Sequence, residues 1–151
     1  MSSYIRNEFN DIEDSDQLDD IGCSIGLINE WDVYHWKASF IGPEKSAYHG
    51  GCFRLKIDFP TNYPDSKPNI YFTTKIFHPN VNFETGVICI ESLNNWNRNR
   101  KMIEVLMSIY CLLINPNPNS PLNSNAATIY KRSISEFNNE VNKYVRQYAL
   151  I

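Results

Sequence analysis

The sequence predicts an α+β fold, and three observations carry that prediction. Four strand-like patterns follow one another between residues 23 and 73 with no helical period between them. Helical periods flank this block on both sides. Between the last strand and the later helices lies a stretch of some twenty residues rich in loop formers. The expected order is an N-terminal helix, a four-stranded antiparallel meander sheet, a long loop, then a central helix and two C-terminal helices.

Ile5, Phe9 and Ile12 recur at helical spacing, so Ser3 to Glu13 reads as an amphipathic helix. Glu13 to Asp20 reads as an acidic, solvated loop. Cys23 to Ile28 and Tyr34 to Ile41 are the first two strands, the second ended by Gly42-Pro43. From Cys52 to Phe59, Phe53, Leu55, Ile57 and Phe59 alternate with Arg54, Lys56 and Asp58, the pattern of a half-buried antiparallel strand. A proline-rich turn, Pro60 to Pro68, leads to a fourth strand at Ile70 to Thr73. His78 to Asn99 is the long loop. Its apolar members Val81, Val87, Ile88, Ile90 and Leu93 argue that it is ordered. Met102, Ile103, Leu106, Ile109, Tyr110 and Leu113 mark a buried helix, stopped by Asn115-Pro116-Asn117-Pro118. Asn123 or Ser124 can cap a short helix to about Tyr130. Ser133 with Glu136 forms a capping box for a last helix to about Tyr148.

Composition narrows the function classes. The 151 residues, 42% hydrophobic and 13% aromatic, suffice for one core without staples. Net charge is −3, and no basic stripe with interleaved aromatics appears, which speaks against nucleic-acid binding. No apolar run approaches the ~20 residues of a membrane span. The polar, increasingly acidic N-terminus resembles neither a secretory signal nor a transit peptide. A cytoplasmic or nuclear location, or both, is the expectation.

The four cysteines, Cys23, Cys52, Cys89 and Cys111, form no CxxC pair and no cluster with histidine, so no metal site is expected. Cys23, Cys52 and Cys111 sit in apolar strand or helix patterns and are expected as buried, inert thiols. Cys89 differs: it lies in the long loop just past the Thr85-Gly86 turn, where chemistry held by a scaffold concentrates.

His78-Pro79-Asn80, Gly86-Val87-Ile88-Cys89-Ile90 and Trp96 resemble the signature of ubiquitin-conjugating enzymes. His35-Trp36 with Gly42-Pro43, and Tyr48-His49-Gly50-Gly51-Cys52-Phe53, resemble the family's second strand and the turns after it. So do Phe59-Pro60, Tyr63-Pro64 and Lys67-Pro68 of the proline-rich crossover, and Pro116-Asn117-Pro118 through Pro121-Leu122 of the later link. The shared order runs from about Ile5 to Tyr148.

This resemblance implies one catalytic domain over residues 1–151. Its cysteine, Cys89, would receive the C-terminal carboxyl of ubiquitin, or a related modifier, from an activating enzyme. It would hold that acyl group as a thioester and pass it to a lysine of a protein substrate, usually guided by a ubiquitin ligase. ATP is used upstream, so the resemblance implies no cofactor and no metal here. A thioester is already activated towards amines, so a missing triad is consistent with the chemistry. Asn80 would donate its amide N–H to the oxyanion or, on the other reading, brace its loop. His78 is expected to bond nearby backbone rather than serve as a base to Cys89. Ser120 stands where many members carry an acidic residue, and is expected as a weaker orienting group or a phosphorylation site.

The resemblance also places the ligase and activating-enzyme interface at Arg6, Tyr63, Pro64, Asp65, Trp96, Asn97 and Arg98. Departures fall here. Asp65 replaces a large residue, Trp96-Asn97-Arg98-Asn99 replaces Trp-Ser-Pro-Ala, and the first helix lacks a basic cluster. An unusual ligase set and an altered fit to the activating enzyme are expected. The segment from Cys89 to Trp96 is also one residue shorter than in common members. Two other classes stay open: a binding module that keeps the fold without conjugating, and a cysteine hydrolase using Cys89 with His78.

Overall fold

The computed structural model describes residues 2–151. A helix, α1 (Ser2–Glu13), leads into a single helical turn, α2 (Gln17–Asp20). Four strands follow: β1 (Cys23–Asn29), β2 (Asp32–Ile41), β3 (Cys52–Asp58) and β4 (Asn69–Phe72). They form one antiparallel sheet in the order β1-β2-β3-β4, the expected meander. The register sets Trp36 opposite Ile57 and Phe40 opposite Phe53, so large apolar groups share one face. Arg54 and Lys56 project from the other face into water.

That apolar face meets the buried stripe of α1, Ile5, Phe9 and Ile12, in one core cluster. Phe9 packs edge-on against Trp36 with ring centroids 5.0 Å apart, and Trp36 lies 4.7 Å from Phe59. Trp36 is fully enclosed, and its indole N–H donates to the Val33 carbonyl at 2.8 Å, so that nitrogen is not buried unpaired.

After the sheet comes another single turn, α3 (Glu91–Asn94), then α4 (Met102–Ile114), α5 (Ser124–Arg132) and α6 (Ile134–Tyr148). Met102, Val105, Leu106, Ile109 and Leu113 of α4 face the core. The Glu8 carboxylate ties α1 to α4. It accepts the Met102 N–H at 2.6 Å, at the positive end of the α4 dipole, and the Tyr63 hydroxyl at 2.7 Å. Asn123 rather than Ser124 caps α5, its side chain accepting from Ala126 N–H at 3.1 Å. Only half of the capping box at α6 forms. Ser133 Oγ accepts from Glu136 N–H, while the Glu136 carboxylate turns to Arg132 at 2.6 Å.

Three expectations change. The acidic stretch before the sheet is not simply a loop, because Leu18 is buried and winds it into α2, leaving Asp16, Asp19 and Asp20 in water. Cys111 is exposed and Cys52 half-buried. Cys111 lies two residues from both Ile109 and Leu113, on the opposite side of α4, and the all-round apolar sequence there hides which side faces in. Cys52 shares the outer parity of Arg54 and Lys56. Cys23 is buried as expected, and burial pushes its thiol up to about 12.

Candidate active site around Cys89

The long loop is ordered by a turn and two short backbone pairings. Asn82 Oδ1 accepts the N–H groups of Glu84 and Thr85, each at 2.9 Å, and Gly86 N–H closes the turn on Asn82 O. Gly86 adopts φ +78°, and a Cβ there would drive into the Phe72 carbonyl oxygen. Its own carbonyl accepts Phe72 N–H at 2.9 Å, stitching the turn to β4. Val81 then pairs with Ile88, and Cys89 N–H donates to Asn80 O at 2.9 Å. Residues 78–81 and 88–89 therefore run side by side, which sets Cys89 next to Asn80.

His78 is completely buried. Its Nε2 bonds the Leu112 carbonyl at 2.8 Å, and Nδ1 accepts the Asn80 N–H at 2.9 Å. Those partners place the proton on Nε2. Its ring stacks on Tyr48, whose hydroxyl donates to the Phe77 carbonyl at 2.7 Å. Burial lowers the imidazole to about 4, only partly opposed by the Leu112 bond, so it is neutral near pH 7. Both nitrogens are engaged with backbone, so neither is free to take a proton from Cys89.

Asn80 is likewise buried. Its amide donates to Asn117 O at 2.7 Å and Ser120 O at 3.1 Å, and its Oδ1 accepts Asn117 N–H at 2.9 Å. The carboxamide is committed to the 117–120 link, the bracing geometry of the two readings. Here it has no N–H left for an oxyanion. Pro79 O accepts from Leu122 and Asn123, at 2.8 and 3.1 Å. Residues 78–80 thus fasten the end of α4 and the start of α5 to one strip of backbone.

Cys89 is half-buried on an open groove of about 650 Å³. Asn94, Met107, Cys111, Asn117 and Ser120 also line it. Ser120 is exposed at the rim, and its carbonyl is held by Asn80. Asn94, which no sequence pattern singles out, points its amide at Cys89 Sγ at 3.4 Å. Five residues separate the two, and they meet only because α3 coils the chain between them.

The expected interface residues divide. Tyr63 is fully enclosed and Pro64 is buried, so neither presents the exposed side chain the expectation asked of it. Tyr63 instead packs 5.7 Å from the half-buried Trp96, whose indole N–H donates to Pro64 O at 2.9 Å. Asp65 and Arg98, the two unusual residues, form an exposed ion pair with Nε to Oδ1 at 2.9 Å. Asn97 is exposed and accepts the Asn99 N–H, and Arg6 is exposed on α1. The two loops therefore make one surface, bridged above by a salt bridge and below by Trp96.

Residues 5–145 match the family model for ubiquitin-conjugating enzyme. A candidate ubiquitin-conjugating enzyme from Plasmodium yoelii is 31% identical, with a TM-score of 0.86 over 98% of this chain and 94% of that one. The H. polymorpha ubiquitin-conjugating enzyme Pex4p, solved in complex with the soluble domain of Pex22p, is 27% identical. Its TM-score is 0.90, over 99% of this chain and 98% of that one. With the family match spanning nearly the whole chain, this protein belongs to the ubiquitin-conjugating enzyme family.

Proposed function

We propose that this chain accepts ubiquitin, or a related modifier, from an activating enzyme as a thioester on Cys89 and transfers it to a substrate lysine. The observation that carries the reading is the accessible Cys89 thiol at the edge of an open groove, on a loop anchored by buried His78 and Asn80. In loading, Cys89 sulfur attacks the incoming thioester carbonyl and the activating enzyme's thiolate leaves. In discharge, the lysine nitrogen attacks that carbonyl, the C–N bond forms and Cys89 leaves as thiolate. Neither step needs a strong base, because the acyl group arrives activated. Neutral, doubly bonded His78 and an unionised Ser120 hydroxyl supply none. A hydrolase, which must activate water or a resting thiol, finds no base in His78. The Asp65–Arg98 surface is the proposed ligase contact, and α1 with Arg6 the proposed contact to the activating enzyme. We place the activity in the cytoplasm or nucleus, where a reduced thiol persists.

The test is incubation with activating enzyme, ATP and ubiquitin, followed by gels with and without thiol. A thiol-sensitive adduct that disappears in Cys89→Ala is expected. No adduct with ubiquitin or any related modifier would leave the binding-module reading in its place.

A further inference from the structure

We propose that Asn94 is a catalytic residue whose side-chain N–H stabilises the Cys89 sulfur as it leaves during discharge, an inference that rests on the thioester reading. The geometry is direct: Asn94 Nδ2 lies 3.4 Å from Cys89 Sγ, within the range of hydrogen bonds to sulfur. The backbone that carries the donor is held in place. Asn94 N–H bonds Ile90 O at 2.9 Å, and the adjoining Leu93 is anchored in the core.

The other groups of the groove leave this task to Asn94. Its described lining contains no lysine, arginine or histidine, while Glu91 and Glu104 both line it. Negative charge on sulfur there meets no cation and two carboxylates. The amide of Asn80 is spent on the Asn117 and Ser120 carbonyls, and Asn95, Asn115 and Asn117, which also line the groove, make no bond to Sγ. Asn94 is the one side-chain donor within bonding distance of Sγ among the described residues.

Such a donor favours the reaction rather than the loaded state. A thioester sulfur is a weak acceptor, so the bond is weak before attack. As the lysine nitrogen adds to the carbonyl carbon, the C–N bond forms and the C–S bond breaks. The electron pair passes to Sγ, and the amine's proton goes to solvent. The N–H···S bond strengthens as charge develops, and a contact that strengthens towards the transition state raises the rate.

The experiment compares Asn94→Asp, Asn94→Leu and Asn94→Gln with the parent. Asp keeps the size, replaces the donor with a second acceptor oxygen and adds a negative charge, so Leu is the uncharged donor deletion. Leu removes donor and acceptor, and Gln keeps the amide on a longer arm. One measurement is single-turnover discharge of the purified thioester to free lysine. The other is alkylation of Cys89 by iodoacetamide at neutral pH, followed on the Cys89 peptide by mass, which needs no modifier. Asp and Leu are each expected to slow both reactions about fivefold, the scale of one partly exposed hydrogen bond to a charged sulfur. Gln is expected to recover part of the loss. A merely structural Asn94 would change thermal stability and leave alkylation untouched. Unchanged rates in Asp and Leu overturn the proposal. So does loss in Leu with none in Asp, which would make the acceptor oxygen the acting group. If the parent protein forms no thioester, the functional reading fails on its own, and alkylation still decides whether Asn94 stabilises the sulfur.

Discussion

Replacing Asn80 by alanine tests whether this buried carboxamide is a brace. The change removes three hydrogen bonds, from Nδ2 to Asn117 O and Ser120 O and from Asn117 N–H to Oδ1. Each neutral bond contributes ~1 kcal/mol net, so about 3 kcal/mol of stability is at stake, before any loss from the small void left behind. In a domain of this size that corresponds to a fall in Tm of roughly 6–12 °C. Urea unfolding followed by tryptophan fluorescence measures it, with an unchanged slope showing that the unfolding transition itself is the same. Asn80→Asp sharpens the comparison. It keeps the acceptor for Asn117 N–H but turns a carboxylate towards two carbonyls, so at neutral pH it is expected to cost at least as much. The bracing argument is wrong if Asn80→Ala lies within about 0.5 kcal/mol of the parent, below what losing even one bond should cost. If discharge collapses while stability stays put, Asn80 acts on the reacting carbonyl after a rearrangement of the 117–120 link.

Three further outcomes follow from the same geometry. His78 is held at about 4 in the fold against 6.5 as its ordinary value, so the unfolded chain binds the extra proton between those pH values. Its contribution is intact above pH 6.5 and lost as pH falls towards 4, by about 3 kcal/mol, and a His78→Gln variant should show a flatter stability–pH curve by chemical denaturation over that window. Gly86→Ala should cost roughly 3 kcal/mol or more, from positive φ and the clash with Phe72 O, and a variant as stable as the parent in thermal melts would refute that account of the turn. Ser120→Asp places a carboxylate on the rim of the groove and is expected to raise the rate of thioester discharge to free lysine, since it can draw in an ammonium and take its proton. An equal or slower rate removes Ser120 from the site.

Much of this molecule is legible one residue at a time. The alternation from Phe53 to Phe59 has a period of two, and the pleat leaves such a pattern only one way to bury its apolar side. The order of four strand patterns without helices between them leads to the meander that forms. Cys89 stands out by its place in the long loop, and the company of His78-Pro79-Asn80 and Gly86 is what resembles the family signature. The mistaken burial of Cys111 has the opposite cause. When Tyr110, Cys111 and Leu112 are all apolar, periodicity alone does not say which side of a helix packs.

What the sequence by itself determined is the order of the main strands and helices, the choice of Cys89 as the candidate residue, and the family whose order of motifs it shares. These depend on local geometry and on short-range spacing. The tertiary structure decided which side chains are spent and which are free. It gave His78 Nε2 and the whole amide of Asn80 to backbone 34 to 40 residues away, and His78 Nδ1 to the N–H of Asn80. It enclosed Tyr63, paired Asp65 with Arg98 across 33 residues, and turned the amide of Asn94 onto the Cys89 sulfur. A hydrogen bond depends on distances of a few tenths of an ångström between groups that packing alone brings together, and no spacing along the chain encodes that.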